Sequence, residues 1–408
     1  MTRACPQCGT RFPDSVFFCG HDGTITIEEQ DPEHFDPRLG DQLGEYVLVA
    51  HVADGAMGRV YEARHKQSKR RMAVKVLHAN VAKDKVAVER FAREYTTAKE
   101  LDHPHVVDVI DHGPTEDGSR YLTMEYLDGE ELSLALDRDA PFALARLLRI
   151  TCQVAGALAH AHSFGVVHRD LKPDNVFLCR SDEGDVVKLL DFGSVKLQLD
   201  TGPKLTALGT TLGSPYYMSP EQAMGKTDVD QRTDVFALGA IVHEMATGDV
   251  AFEGSGIAQI LTNIVQKDPA PIGTVRAELA GPFEQVVLRA LAKDKTARFS
   301  TTTEFAAALL TAVGLDGDVD KWAETPVASI ERALETARPA ALEPATGPGA
   351  SIATDDADVV DAPPPIHATS LPPAVPRPSY ALPKSVWFWG LALVAAGIVV
   401  GLVLALGH

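Results

Sequence analysis

The stretch that most restricts how this chain can fold is His168-Arg169-Asp170-Leu171-Lys172-Pro173-Asp174-Asn175, followed after the apolar run 186–190 by Asp191-Phe192-Gly193. It supplies a carboxylate able to accept a hydroxyl proton, a lysine able to meet a phosphoryl group, and Asn and Asp oxygens of the hard kind that suit Mg²⁺. Eight such specific positions, with a second motif at loop distance, do not arise from a generic surface. A fold that scattered them would waste all of them, so they are expected to converge on one cleft.

Composition narrows the setting. A length of 408 residues suggests roughly two to three units at about 150 residues each. With 38 Lys and Arg against 56 Asp and Glu, the net charge is −18. That excludes a general electrostatic case for nucleic-acid binding. A hydrophobic content of 45% excludes wholesale disorder. Five cysteines are too few and too unevenly placed for a disulfide-stapled scaffold. Cys152 and Cys179 lie in apolar surroundings and read as inert core thiols.

Apolar alternation over 46–52, 60–63 and 71–77 predicts antiparallel strands, and helical periodicity appears near 86–101, 146–162, 235–247 and 283–291. Sheet first and helices later predicts an α+β class with two lobes. A short acidic, turn-rich linker is expected over 24–45, and the globular unit over 46–312. From 313 to 385 the chain is expected to be a largely disordered Pro/Ala-rich linker, since its later part cannot bury enough apolar surface to offset ordering entropy. Residues 386–406 contain no charged side chain. As a helix they would span about 31 Å, the thickness of a hydrocarbon core. Trp387 and Trp389 suit the interface, and Arg377 and Lys384 flank the N-terminal side. Residues 1–20 mix Arg3, Arg11 and Asp14 with three cysteines and lack an apolar core of signal-peptide length. The expectation is therefore a single-pass tail anchor in the cytoplasmic (inner) membrane, with the N-terminal bulk facing the cytoplasm. Gly397, Gly401 and Ala405 form a small-residue face on which helices can pair.

Residues 52–60 hold glycines at a turn between two predicted strands, where backbone N–H groups can approach phosphate oxygens. Lys75 lies fifteen residues past Val60 inside an apolar strand, and a buried ammonium needs an anionic partner. Taken with the two motifs at 168–175 and 191–193, the chain resembles the protein kinase superfamily, in particular bacterial eukaryotic-like serine/threonine protein kinases. The resemblance covers about residues 46–312, with every family motif in order.

It implies a two-lobed protein kinase fold, ATP and Mg²⁺ as cofactors, and protein substrates phosphorylated on serine or threonine. By the same carry-over, Val52, Gly55, Gly58 and Val60 belong to the loop over ATP. Lys75 contacts the α/β-phosphates, with Glu94 as its ion-pair partner in preference to Glu89 and Glu100. Met124 gates the adenine pocket, and Glu125 and Leu127 read the adenine edge through their backbone. Asp170 is the catalytic base, Lys172 a γ-phosphate contact, and Asn175 and Asp191 the Mg²⁺ ligands. Glu221 is expected to pair with Arg298, and Asp234 to brace the catalytic loop. Thr206, Thr210 and Thr211 are candidate phosphate acceptors for the cationic site at Arg169. Two positions depart from the family: Ala53 replaces the first loop glycine, and Ser214 stands where threonine is usual. The alternative reading is a catalytically inactive kinase fold acting as a nucleotide-binding scaffold, for which Ala53 is the only support. Homodimers through the kinase domain or the transmembrane helix are open to such a chain.

At the N-terminus, Cys5-Pro6-Gln7-Cys8-Gly9 has the spacing of a zinc knuckle, and Cys19-Gly20-His21-Asp22-Gly23 begins a second half. Residues 1–23 therefore read as a zinc-ribbon-like module. Cys5, Cys8 and Cys19 are its thiolates, and either Asp22 or His21 is the fourth Zn²⁺ ligand.

Overall fold

The structure, a computed structural model, describes residues 2–29, 36–55, 57–192 and 215–337. Three short strands open it: β1 (Thr2–Ala4), β2 (Arg11–Pro13) and β3 (Ile27–Glu28), in the antiparallel order β2-β1-β3. Next come β4 (Gln42–Leu43), β5 (Tyr46–Asp54), β6 (Gly58–His65) and β7 (Arg71–Leu77), then helix α1 (Lys85–Glu100), then β8 (Val109–Pro114) and β9 (Arg120–Glu125). These strands build one antiparallel sheet of order β4-β5-β6-β7-β9-β8. Its apolar alternation buries Leu48, Tyr61, Ala63 and Val74 among one set of side chains. Leu77 and Leu122 meet Phe91 and Ala98 of α1 in another.

The rest is mostly helical: β10 (Gly129–Glu131), α2 (Leu132–Asp139), α3 (Leu144–Ser163), β11 (Val176–Cys179), β12 (Val186–Leu189), α4 (Pro220–Ala223), α5 (Arg232–Thr247), α6 (Ile257–Gln266), α7 (Pro282–Ala290), α8 (Thr302–Ala312), α9 (Val319–Glu324) and α10 (Val327–Ala337). α3 and α5 form the centre of the large core, and fourteen of sixteen α5 residues are buried. Gly248 ends α5 at φ 82°, the left-handed cap that stops a helix without a Cβ penalty. Cys152 is buried in this core, and burial pushes its thiol up to about 12. The arrangement is the expected α+β division into a sheet lobe and a helical lobe.

Two expected linkers are corrected. Residues 24–45 supply β3 and β4, and Thr26 is fully buried, accepting from Arg3 Nε at 3.2 Å. Asp36 is buried as well and accepts from Tyr61 Oη at 2.8 Å and Arg59 Nη1 at 3.1 Å. Two-residue strands held by arginine and tyrosine partners leave no periodicity to read. Residues 313–337 are likewise not a linker. α9 packs on the core through Val319, Trp322 and Ala323, whose spacing makes one helical face, and α10 through Ile330. Gln153 Nε2 of α3 donates to the Ala323 carbonyl at 3.1 Å. The Pro-rich stretch and the expected membrane segment 386–406 lie outside the described residues, as do Thr206, Thr210, Thr211 and Ser214. Among the described residues, no helix is long and apolar enough to cross a membrane.

Candidate active site

Lys75 lies in the middle of β7, paired with Val60 on one side and Leu122 on the other, so its side chain leaves an apolar strand toward α1. Its Nζ meets Glu94 Oε1 at 3.1 Å and Asp191 Oδ1 at 2.8 Å. Burial opposes the Lys75 charge, but the Asp191 and Glu94 carboxylates more than offset this and hold it above its ordinary value. The same ammonium outweighs burial at Asp191 and keeps that carboxyl well below the usual range. Burial, with Asp191 nearby, pushes the Glu94 carboxyl up. Among the described residues, Glu94 and not Glu89 or Glu100 is the glutamate that meets Lys75.

Asp170 and Asn175 are joined directly. Asn175 Nδ2 donates to the Asp170 carbonyl at 2.7 Å and to Asp170 Oδ2 at 3.4 Å. Both donations commit the amide nitrogen of Asn175 to Asp170. Lys172 Nζ stands 3.9 Å from Asp170 Oδ2, and the Asp170 carboxylate remains 44% exposed, open to an incoming hydroxyl. The loop is braced from α5. Asp234 accepts from the His168 and Arg169 amides, each at 2.9 Å, and from His162 Nε2 at 2.7 Å. Burial alone would raise the Asp234 carboxyl, and these donors hold it below the usual range instead. Backbone strain sits at the same place: Arg169 has φ 65° and Asp191 φ 57°, left-handed values that non-glycine residues rarely adopt. His168 Nε2 donates to the Leu190 carbonyl at 3.1 Å and its ring meets Phe192 edge-on at 4.9 Å, which ties the two motifs together.

Above this, β5 and β6 form the glycine turn. A Cβ on Gly58 would lie 2.2 Å from the Val76 carbonyl, so only glycine lets β6 approach β7 this closely. Val52 is exposed at the end of β5, and Val60 sits opposite Lys75. Ala53 pairs with Val60 and is not among the residues of positive φ, so its methyl group is accommodated. Met124 and Leu127 pack against the cluster of Leu77, Val109 and Leu122. The Glu125 carboxylate is committed to Lys188 Nζ at 2.6 Å and the Asp108 amide at 2.9 Å, which assigns any ligand role of Glu125 to its main chain.

The family profile of the protein kinase domain matches residues 46–310. The chain belongs to the protein kinase family. Serine/threonine-protein kinase pkn3 of Myxococcus xanthus is 38% identical over 270 residues, which is 65% of this chain and 49% of that protein. Serine/threonine-protein kinase PknB of Mycolicibacterium smegmatis is 36% identical over 282 residues, 68% of this chain and 43% of that protein. The chain thus spans about half or less of the length of these curated relatives. Among solved structures, the Mycobacterium tuberculosis PknI kinase domain matches with a TM-score of 0.55 at 31% identity, covering 68% of this chain and 99% of that one.

One kinase-domain residue escaped the motif reading. Gln222 donates from Nε2 to the Arg169 carbonyl at 2.7 Å, while its Oε1 accepts from the Ser219 amide at 3.0 Å and Thr233 Oγ1 at 2.7 Å. It fastens the start of α4 to the catalytic loop. The signal was present as the capping-box spacing from Ser219 to Gln222.

Outside the kinase match, Cys5, Cys8, Cys19 and Asp22 bring their ligand atoms within 4.8 Å of one another, and His21 is not part of the group. The two halves share one backbone. Cys5 N bonds Thr10 O and Gly9 N bonds Cys5 O, both at 2.9 Å, with Gly9 at φ 71°. Cys19 N bonds Thr24 O at 2.8 Å and Gly23 N bonds Cys19 O at 2.9 Å, with Gly23 at φ 72°. Asp22 therefore occupies in the second half the place that Cys8 holds in the first. Its Oδ1 accepts from the Thr24 amide at 2.9 Å, and hydrogen bonding to Thr24 holds its carboxyl down at about 2, ionised as a ligand must be.

Proposed function

We propose that this chain is a membrane-tethered protein kinase that transfers the γ-phosphoryl group of ATP to serine and threonine hydroxyls of protein substrates. The observation that carries this reading is the meeting of Lys75, Glu94 and Asp191 at the junction of sheet and α1, together with the Asp170–Asn175 bond. Lys75, braced by Glu94, holds the α/β-phosphates. The backbones of Glu125 and Leu127 read the adenine edge. Asp170 takes the proton from the attacking hydroxyl as its oxygen bonds to phosphorus and the bond to the ADP oxygen breaks; Lys172 balances charge on the transferring group. Asn175 and Asp191 offer the oxygens that suit Mg²⁺, which supplies charge neutralisation at the triphosphate. Radiolabelled ATP with a generic protein substrate tests the reading. Asp170→Asn is expected to lower transfer by about 10²–10⁴-fold while leaving nucleotide binding in place. Undiminished turnover would overturn the assignment.

The Arg169 guanidinium leaves its Nε buried without a partner among the described residues, which supports phosphorylation of Thr206, Thr210 or Thr211 as the activating event. Phosphopeptide mapping after incubation with ATP checks this. The uncharged run 386–406 supports a single pass through the cytoplasmic membrane with the kinase domain on the cytoplasmic side. Release of the chain by carbonate washing would remove that proposal.

The N-terminal module, in this reading, binds one structural Zn²⁺ through Cys5, Cys8, Cys19 and Asp22. The matched backbone of the two halves and the convergence of four donors support it. Metal analysis of the full chain, with Asp22→Ala as the depleted control and His21→Ala as the unaffected one, is the test.

A further inference from the structure

In each half of the N-terminal module, the residue two places before the first cysteine faces the kinase sheet: Arg3 before Cys5, and Phe17 before Cys19. Arg3 is buried and donates from Nη2 to the Thr26 carbonyl at 2.9 Å and, across the boundary, to the Val49 carbonyl of β5 at 3.4 Å. Its guanidinium lies 4.5 Å from the Phe17 ring, and Arg64 of β6 covers the same ring at 3.8 Å. Arg64 Nη2 donates to Glu62 Oε1 at 3.0 Å, and the second oxygen of Glu62 accepts from Arg71 Nη2 of β7 at 2.8 Å. Arg71 in turn lies 3.5 Å over the Tyr126 ring. Tyr126 stands between Glu125 and Leu127, the residues proposed above to read adenine.

Arg64 and Arg71 are direct cross-strand partners, a like-charge pair that repels unless an anion separates them. The Glu62 carboxylate is that anion, only 7% exposed and shared by both. Moving Arg64 therefore changes what Arg71 feels, and Arg71 covers Tyr126 on the hinge, the segment 126–128 that joins β9 to β10. Strands of two and three residues cannot hold the module's shape without help. A cation on the module's four converging donors would tie together the two halves that carry Arg3 and Phe17. The donor set also favours exchange: a carboxylate stands where the other half has a thiolate, and Cys8 is exposed.

We infer that occupancy of the Cys5–Cys8–Cys19–Asp22 site by a zinc-type ion sets the affinity of the kinase cleft for nucleotide, through Phe17, Arg64, Glu62, Arg71 and Tyr126. This rests on the zinc and adenine readings above. With the ion in place, Phe17 pins Arg64 on Glu62 and the hinge is held. Without it, Arg64 loses its aromatic cover, the bridge slackens, and the hinge loses order.

The test uses the full chain, with metal content and the dissociation constant of a non-hydrolysable ATP analogue measured on one sample. Mg²⁺ is held in excess, and a zinc-selective chelator is applied. Loss of the metal is expected to weaken nucleotide binding roughly three- to tenfold, the range that packed networks carry, with recovery on adding Zn²⁺. Arg64→Ala is expected to retain the metal yet bind nucleotide weakly with or without it. An unchanged dissociation constant after verified metal loss overturns the inference alone, as does an Arg64→Ala chain that responds to chelation like the parent. A chain that neither carries zinc nor takes it up overturns the zinc reading itself. Loss of the cooperative melting transition on chelation also overturns the coupling, since the ion would then be holding the whole fold.

Discussion

Arg298 sets its two terminal nitrogens 2.8 Å from the two oxygens of Glu221, with both side chains sealed from water. Burial would raise the Glu221 carboxyl, but the Arg298 fork wins and holds it below the usual range. Such a depressed carboxyl adds stability above its ordinary pKa and loses it as pH falls through the folded value. Arg298→Leu strands a buried carboxylate and is expected to cost about 3–5 kcal/mol in chemical denaturation. The double variant Glu221→Leu with Arg298→Met should recover much of that loss.

Gln222 is expected to position the loop at Arg169 without touching the reacting groups. Gln222→Ala removes the bond to the Arg169 carbonyl and leaves the buried Thr233 hydroxyl with one partner fewer. Expected is a several-fold to about tenfold fall in kcat, with KM for ATP and the melting temperature little changed. A matched fall in melting temperature would make Gln222 merely structural. Gln222→Glu, which keeps the acceptor and loses the donor, should resemble Ala in kcat.

Glu244 gives a pH signature. Burial pushes its carboxyl up from 4.5 to about 6, although the Tyr217 hydroxyl bonds it at 2.6 Å. The folded state then holds more protons than the unfolded state between these values, so stability falls as pH rises through about 6 and levels off above it. Glu244→Gln keeps an acceptor for Tyr217 and cannot ionise. Its unfolding free energy in urea should exceed that of the parent at pH about 8, by up to the order of 2 kcal/mol, and converge with it at pH about 4.5.

Gly58→Ala forces a methyl group against the Val76 carbonyl, where the Cβ would stand at 2.2 Å. β6 must then part from β7 beside Lys75. Nucleotide binding is expected to weaken about tenfold or more by titration, whereas Gly55→Ala, whose Cβ meets only the Gly58 carbonyl at 3.3 Å, should cost less.

Much of the kinase site was legible because its demands are local or electrostatic. Lys75 in an apolar strand requires an anion, and Glu94 stands nineteen residues on, on the helix that follows. The loop bearing Asp170 and Asn175 is a contiguous motif. The Arg64–Glu62–Arg71 bridge was not legible, since it depends on the cross-strand register of β6 and β7, which no spacing along one strand discloses. Asp36 escaped for a related reason: its partners Arg59 and Tyr61 lie more than twenty residues away. In the second knuckle, ribbon spacing pointed to Asp22, whereas ligand chemistry alone favoured His21. The repeated turn geometry separated them.

The packing of α9 and α10 on α3 bears on how a soluble catalytic fragment is cut from this chain. A fragment ending at Ala312 would leave Gln153 without its bond to Ala323 and bare the groove that Trp322 and Ile330 fill. Such a fragment should be sticky and short-lived in solution. Extending the cut by one helical pair, to Ala337, turns the same catalytic unit into one with a closed base.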